Sequence, residues 1–173
     1  MGAATRTGRA RNGVARVIVH YGGDREGAEQ TASLVQAAGA EAEIIEGDLS
    51  TTSGIQKFIA ELVKPQPEID ILINNAGSLV ERARLAEYTG GLFDQVMNLN
   101  VKSVYFIPQA VAPHMMQQGH GVVINLSSIA ARNGGDITAD SINACRLAAP
   151  LSARSRFCPI PRASLHRASC LAG

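Results

Sequence analysis

The sequence predicts an α/β protein, a mostly parallel sheet with helices on both faces. Three observations lead there. Short β-branched runs alternate with longer stretches of helical periodicity between residues 15 and 127. Two of the runs, RVIVH and ILIN, are near-continuously apolar, as expected of strands buried on both faces. Polar residues also recur where the runs end, at Asp48, Asn74/Asn75 and Ser127/Ser128. In open α/β sheets the carboxyl ends of the strands line the ligand crevice.

Taken in order, ARVIVHY (15–21) reads as a strand closed by Gly22-Gly23. Asp24 can cap a helix that runs to about Ala38 and stops at Gly39. AEIIEGD (42–48) reads as a second strand. Ser50–Ser53 then offer N-caps to a helix whose Ile55, Phe58, Ile59, Leu62 and Val63 follow an amphipathic spacing, ended by Pro65 and Pro67. IDILIN is the third strand, and GVVINLS (121–127) the fourth. Between them a helical stretch spans about Leu92 to Met116, with Pro108 and Pro113 as weak points. No internal repeat is evident.

At 173 residues, 46% hydrophobic and 18% charged, the chain suits one globular domain. Its apolar runs are too short to span a bilayer. The net charge of +1 hides an asymmetry: residues 1–23 hold four arginines and no acid, and residues 141–173 hold five and no acid. All 15 carboxylates lie between Asp24 and Asp140, against seven Lys/Arg, a net of −8. The basic ends lack clustered Lys/Arg and periodic aromatics, so neither a nucleic-acid nor a membrane partner is expected. An Arg-rich start also occurs in transit peptides, but here it lacks their apolar Leu/Phe stripe. Cys145, Cys158 and Cys170 fit neither a zinc pattern nor a complete disulfide framework. Free thiols, a cytoplasmic setting and no metal site are expected. His114 and His120 read as solvent-side helix-end residues, and Met115-Met116 as packing filler.

Four motifs carry a resemblance. NNAG (74–77), GDL (47–49), FDQVMNLNVKS (93–103) and GVVINLSSIAA (121–131) occur at workable spacing. Together they resemble the classical short-chain dehydrogenase/reductase family over about residues 10–135. The resemblance implies a Rossmann-like sheet and NAD(P)-dependent oxidoreduction of a small-molecule carbonyl or secondary alcohol, of the 3-oxoacyl-carrier-protein reductase kind. It implies that Ser128 orients the substrate oxygen and Asn100 holds a water in the proton path. It also implies that Asp48, Leu49, Asn74, Asn75, Ala76 and Gly77 meet the cofactor. No acid directly follows the first strand in HYGGDR, and Arg25 is available to a 2′-phosphate, so NADP is expected over NAD. A homo-oligomer would form through the helix containing Asn100.

The chain departs from the family at both ends. Residues 1–14 contain neither the family's first strand nor its spaced glycine loop, so they read as a degenerate remnant before a partial domain at 15–140. Losing that strand predicts a sheet in which RVIVH pairs directly with ILIN, or in which both edges stay open. After Ser128 there is no Tyr and no Lys, so the family's Tyr-x-x-x-Lys is missing where SINACRLAAP stands. Cys-Arg-Leu is what codons for Tyr-Ala-Ala-Ser become on losing two bases. Residues 141–173 are therefore expected to be a non-homologous tail, read out of frame from about Cys145. Little or no hydride transfer is expected of such a chain. The alternatives are a non-catalytic interaction protein derived from the family, or an unstable fragment.

Overall fold

The computed structural model describes residues 14–64, 68–78, 80–81, 83–127, 155–156 and 169–172. The first strand, β1 (Arg16–Tyr21), is followed by α1 (Arg25–Ala37) and β2 (Glu41–Glu46). Next come α2 (Thr52–Val63) and β3 (Ile71–Asn74). After a 3-10 turn at Leu85–Glu87, α3 (Gly90–Met97) passes through a π-helical turn (Asn98–Lys102) into α4 (Ser103–Gln118). Strands β4 (Val122–Asn125), β5 (Ser155–Arg156) and β6 (Ser169–Ala172) complete the described elements.

Helix starts and stops follow local chemistry. Asp24 accepts a hydrogen bond from the Gly27 amide at 2.9 Å to open α1, and Gly39, at φ 87°, closes it. Thr51 accepts from the Gly54 amide at 3.0 Å to open α2, which ends just before Pro65. Pro108 and Pro113 do not break α4. Val104, Ile107, Val111 and Met115 are all buried along one stripe, and that packing holds the helix across both prolines. The expected methionine filler splits in two: Met115 is fully buried, whereas Met116 is 66% exposed.

The strands form one sheet in the order β2-β1-β6-β3-β4-β5, parallel except for β5. This corrects the expected pairing of β1 with β3. Residues 169–172 lie between them and pair with both, Leu171 opposite Ile18 on one side and Leu72 on the other. Buried strands cannot leave rows of amides and carbonyls unpaired, so an extended segment of the chain's own tail completes the ladder.

Alternation along the strands separates two apolar layers. Ile18 and Leu72 face a core with Phe58 and Leu62 of α2 and Ile107 and Val111 of α4. Val17, Val19, Ile71 and Ile73 face the other way, against Ala28 and Val35 of α1. At the amino edge, His120 sits just past the end of α4 with its side chain 41% exposed, as expected of a solvent-side residue, and its Nε2 lies 2.6 Å from Oδ1 of buried Asp70, tying the entries of β3 and β4 together.

Candidate active site

The carboxyl edge of the sheet gathers the residues singled out from sequence. Asp48 and Leu49 leave β2, Asn74–Gly77 leave β3, and Ser127 leaves β4. Ser128 lies outside the described residues. Beneath this edge is a narrow pocket open to solvent, lined by His20, Leu49, Phe58, Asn75, Ala76 and Val104 among others.

Asp48 is shaped by the turn that starts α2. Its Oδ1 accepts from the Ser50 hydroxyl at 2.6 Å and from the Ser50 amide at 2.9 Å. The Ser50 hydroxyl, then the Ser50 amide, hold the carboxyl below its ordinary value of 3.8. Because the folded state favours the anion, the stability this contributes is present above the unfolded-state value and disappears as pH falls through the lower folded one. In a carbon-detected NMR titration, Asp48 is expected to ionise below 3.8, and Ser50→Ala to move its midpoint upward. The stability difference between the two proteins then shrinks as the solution is acidified below about pH 4. Equal midpoints would refute the role given to Ser50.

Asn74 is buried at the last position of β3, and its Nδ2 donates to Oδ1 of Asn125 at 2.7 Å. Asn125 is the register partner of Asn74 on β4, so the two amides join the strand ends across the crevice floor. Gly77 fits closely, since a Cβ there would stand 3.0 Å from Oδ1 of Asn100.

Asn100 sits in the π turn, a helical irregularity that recurs at functional sites. Its Nδ2 donates to the carbonyls of Ser78 at 2.8 Å and Val96 at 2.9 Å, and its Oδ1 accepts from the Ser78 amide at 3.2 Å. Two residues earlier, Asn98 donates to the Ser50 carbonyl at 2.9 Å. Side chains two apart on a helix diverge, so this one turn braces both walls of the crevice. Asn98 reaches the loop after β2, and Asn100 reaches the loop after β3. Lys102 adds a bond of 2.8 Å to the Thr52 hydroxyl.

Arg25 stands on the same edge at the start of α1, largely exposed, with its Nε donating to Glu29 at 2.9 Å. That carboxylate holds the guanidinium above its ordinary value. Sequence reasoning missed Asn98, His20 and Asn125. His20 is buried, with Nε2 2.8 Å from the Gly47 carbonyl and its ring edge-on to Phe58 at 4.6 Å. A signal for Asn125 was present: ILIN and VVIN are matching strings that both end in Asn. No signal marked Asn98 or His20, because their partners are set by the fold. Among the described residues no cluster of His, Cys, Asp or Glu could hold a metal ion. Nor is any described helix long and apolar enough to cross a membrane.

The sequence model of the short chain dehydrogenases matches residues 1–139. Over 108 residues the chain is 37% identical to 2-dehydro-3-deoxy-D-gluconate 5-dehydrogenase of Dickeya dadantii, covering 62% of this chain and 42% of that protein. It is 32% identical over 122 residues to 3-oxoacyl-[acyl-carrier-protein] reductase FabG of Staphylococcus epidermidis, covering 68% of this chain and 48% of that one. The chain thus spans about half the length of the curated relatives it matches. Among solved structures, NADH-dependent reductase A1-R' complexed with NAD superposes with a TM-score of 0.76 at 28% identity, covering 87% of this chain and 64% of the other. A metagenomic short-chain oxidoreductase in complex with NADP superposes at 0.75 with 27% identity, covering 87% and 68%. A parallel sheet, a polar carboxyl edge braced by one helical turn, and a family match over most of its length agree: the chain belongs to the short-chain dehydrogenases.

Proposed function

We propose that the crevice binds a nicotinamide dinucleotide, NADP in preference to NAD, and that the chain is a short-chain-type oxidoreductase for a small-molecule carbonyl or secondary alcohol. The observation that supports this best is the convergence of Asp48, Leu49 and Asn74–Gly77 at one sheet edge, with Asn98 and Asn100 bracing its two walls. These residues suit the adenine end of a dinucleotide. Asp48, kept anionic, accepts from an exocyclic amino group, while Leu49 and Ala76 offer apolar flanks beside the cavity. Gly77 leaves room for the backbone to approach. Arg25 exchanges its exposed partner Glu29 for a 2′-phosphate, since surface ion pairs are weak and a phosphate is the stronger acceptor.

The dinucleotide, when bound, supplies or accepts the hydride. Ser128 then hydrogen-bonds the substrate oxygen. Asn100 acts as a positioning residue, because its amide is engaged with the loop at Ser78. Residues 129–173 contain no Tyr and no Lys to exchange the substrate's proton, so turnover is slow. That same absence favours a second reading, a dinucleotide-binding protein without catalysis. The 3-oxoacyl thioester class is the substrate proposed, after the named activity of one relative. Self-association through the helical stretch around Asn100 belongs to this proposal: Phe93 is 50% exposed, Tyr105 53% and Phe106 40%, and sedimentation reads the state directly. With no disulfide framework among three cysteines, the cytoplasm is the proposed compartment.

Titration of the purified chain with NADPH and NADH, read by nicotinamide fluorescence and thermal unfolding, tests the proposal. At a hundredfold excess over Kd, binding stabilises by about 2.7 kcal/mol, a rise in Tm of about 5–10 °C. NADPH is expected to give that rise at lower concentration than NADH. No saturable signal with either dinucleotide would overturn the reading. Slow NADPH oxidation with a 3-oxoacyl thioester separates the enzyme from the binding protein.

A further inference from the structure

We propose that Asn98, Ser50 and Asp48 form a relay that selects the base of the dinucleotide, with Asn98 as its positioning residue. Through it the crevice takes adenine and rejects a purine that carries a carbonyl oxygen in place of the amino group. The relay deepens the dinucleotide reading above and rests on it. Asp48 is exposed at the exit of β2, and as an anion it accepts hydrogen bonds and cannot donate one. It therefore favours an exocyclic amino group over the oxygen of hypoxanthine, which would face a carboxylate. Selection of this kind requires a carboxylate already held when the base arrives. One free to turn away meets either base at little cost.

Ser50 supplies part of that hold. Its hydroxyl and its amide both donate to Oδ1 of Asp48, at 2.6 and 2.9 Å, so the carboxylate cannot rotate without breaking both bonds. A turn bonded only to itself would still swing as a unit, and Asn98 ties it down from forty-eight positions away. Its Nδ2 donates to the Ser50 carbonyl at 2.9 Å. The Asn98 amide is held at its other end too: Oδ1 stands 3.5 Å from the Thr52 hydroxyl, which accepts from Lys102 at 2.8 Å. On the strand side, the Gly47 amide donates to the Tyr21 carbonyl at 3.0 Å, and Nε2 of buried His20 stands 2.8 Å from the Gly47 carbonyl. Gly47 thus fixes the start of the turn to β1, and Asn98 fixes its end to the π turn.

The test compares NADPH with its deaminated analogue, reduced nicotinamide hypoxanthine dinucleotide phosphate, by nicotinamide fluorescence on the full chain. The native chain is expected to bind NADPH at least about 10-fold more tightly. Asn98→Ala is expected to bring the two Kd values within about 3-fold of each other, by weakening NADPH. Tm is recorded alongside, because a loss of folded protein scales both Kd values equally and leaves their ratio alone. Ser50→Ala, in a half-buried turn, removes one of the two bonds to Oδ1 and is expected to narrow the ratio by about 2–3-fold. It also keeps the relay open to refutation if Asn98→Ala fails to fold. Retention of the native ratio in either folded variant would overturn the relay. Equal binding of the two dinucleotides by the native chain would overturn base selection while dinucleotide binding stands. Binding of neither would overturn the dinucleotide reading, and the relay with it.

Discussion

Gly54→Ala is expected to lower Tm by about 6–12 °C and to weaken dinucleotide binding with it. Gly54 lies in the first turn of α2, where a Cβ would stand 1.9 Å from the Asp48 carbonyl oxygen and 2.8 Å from the Thr51 hydroxyl. The first contact is with backbone, so no rotamer change relieves it. Either the helix start or the Asp48 turn must move, at a cost of about 3 kcal/mol for a buried overpacking of this kind. Moving the turn disturbs the Ser50 bonds that keep Asp48 anionic, and also the Asn98 bond to the Ser50 carbonyl. Gly90→Ala is the control, because nothing lies within 4 Å of a Cβ there and the residue opens α3. It should be neutral or slightly stabilising. If both variants melt alike, the close approach at Gly54 carries no energetic weight.

The second large effect is at Phe58. Phe58→Ala is expected to cost about 3–5 kcal/mol, seen as a lower urea midpoint with an unchanged slope. Phe58 is 1% exposed and belongs to the cluster joining α2, α4 and the sheet. Its ring meets His20 edge-on, and its Cβ would stand 2.9 Å from a Cβ at Gly47. Truncation therefore enlarges the cavity beneath Leu49 and Asn75, and removes the wall against which the loop after β2 packs. A domain stable by about 5–15 kcal/mol loses about a fifth or more of that. Phe93→Ala, at a residue 50% exposed, should change monomer stability by less than about 0.5 kcal/mol. Similar losses at the two positions would show that the core is not organised around α2.

Much of the domain was readable from local pattern. Each of the first four strands begins and ends within about two residues of the run read for it, and in β1 and β3 burial on both faces writes itself as continuous hydrophobicity. Gly39 closes α1 because only a residue tolerant of positive φ completes that turn. The candidate site was readable in its motifs, since polar residues at strand ends have few other reasons to recur. The π turn was not, because it alters the helix by one hydrogen-bond register and leaves the apolar spacing intact. Asn98 therefore looked like an ordinary neighbour of Asn100, although its side chain braces the opposite wall. The tie from solvent-side His120 to Asp70 was likewise not legible, its partner lying fifty positions away.

By itself, the sequence determined the first four strands, the helices and their caps, and the motifs that gather at the carboxyl edge of the sheet. These depend on residues a few positions apart, whose propensities and periodicities act locally. What fills the gap between β1 and β3 was decided only by the tertiary structure. The segment that does so, SCLA, carries no distinguishing pattern and lies beyond residues 1–139, which the family model matches. A strand is recruited there by unpaired backbone on its neighbours, and backbone hydrogen bonding is nearly blind to which side chains are attached.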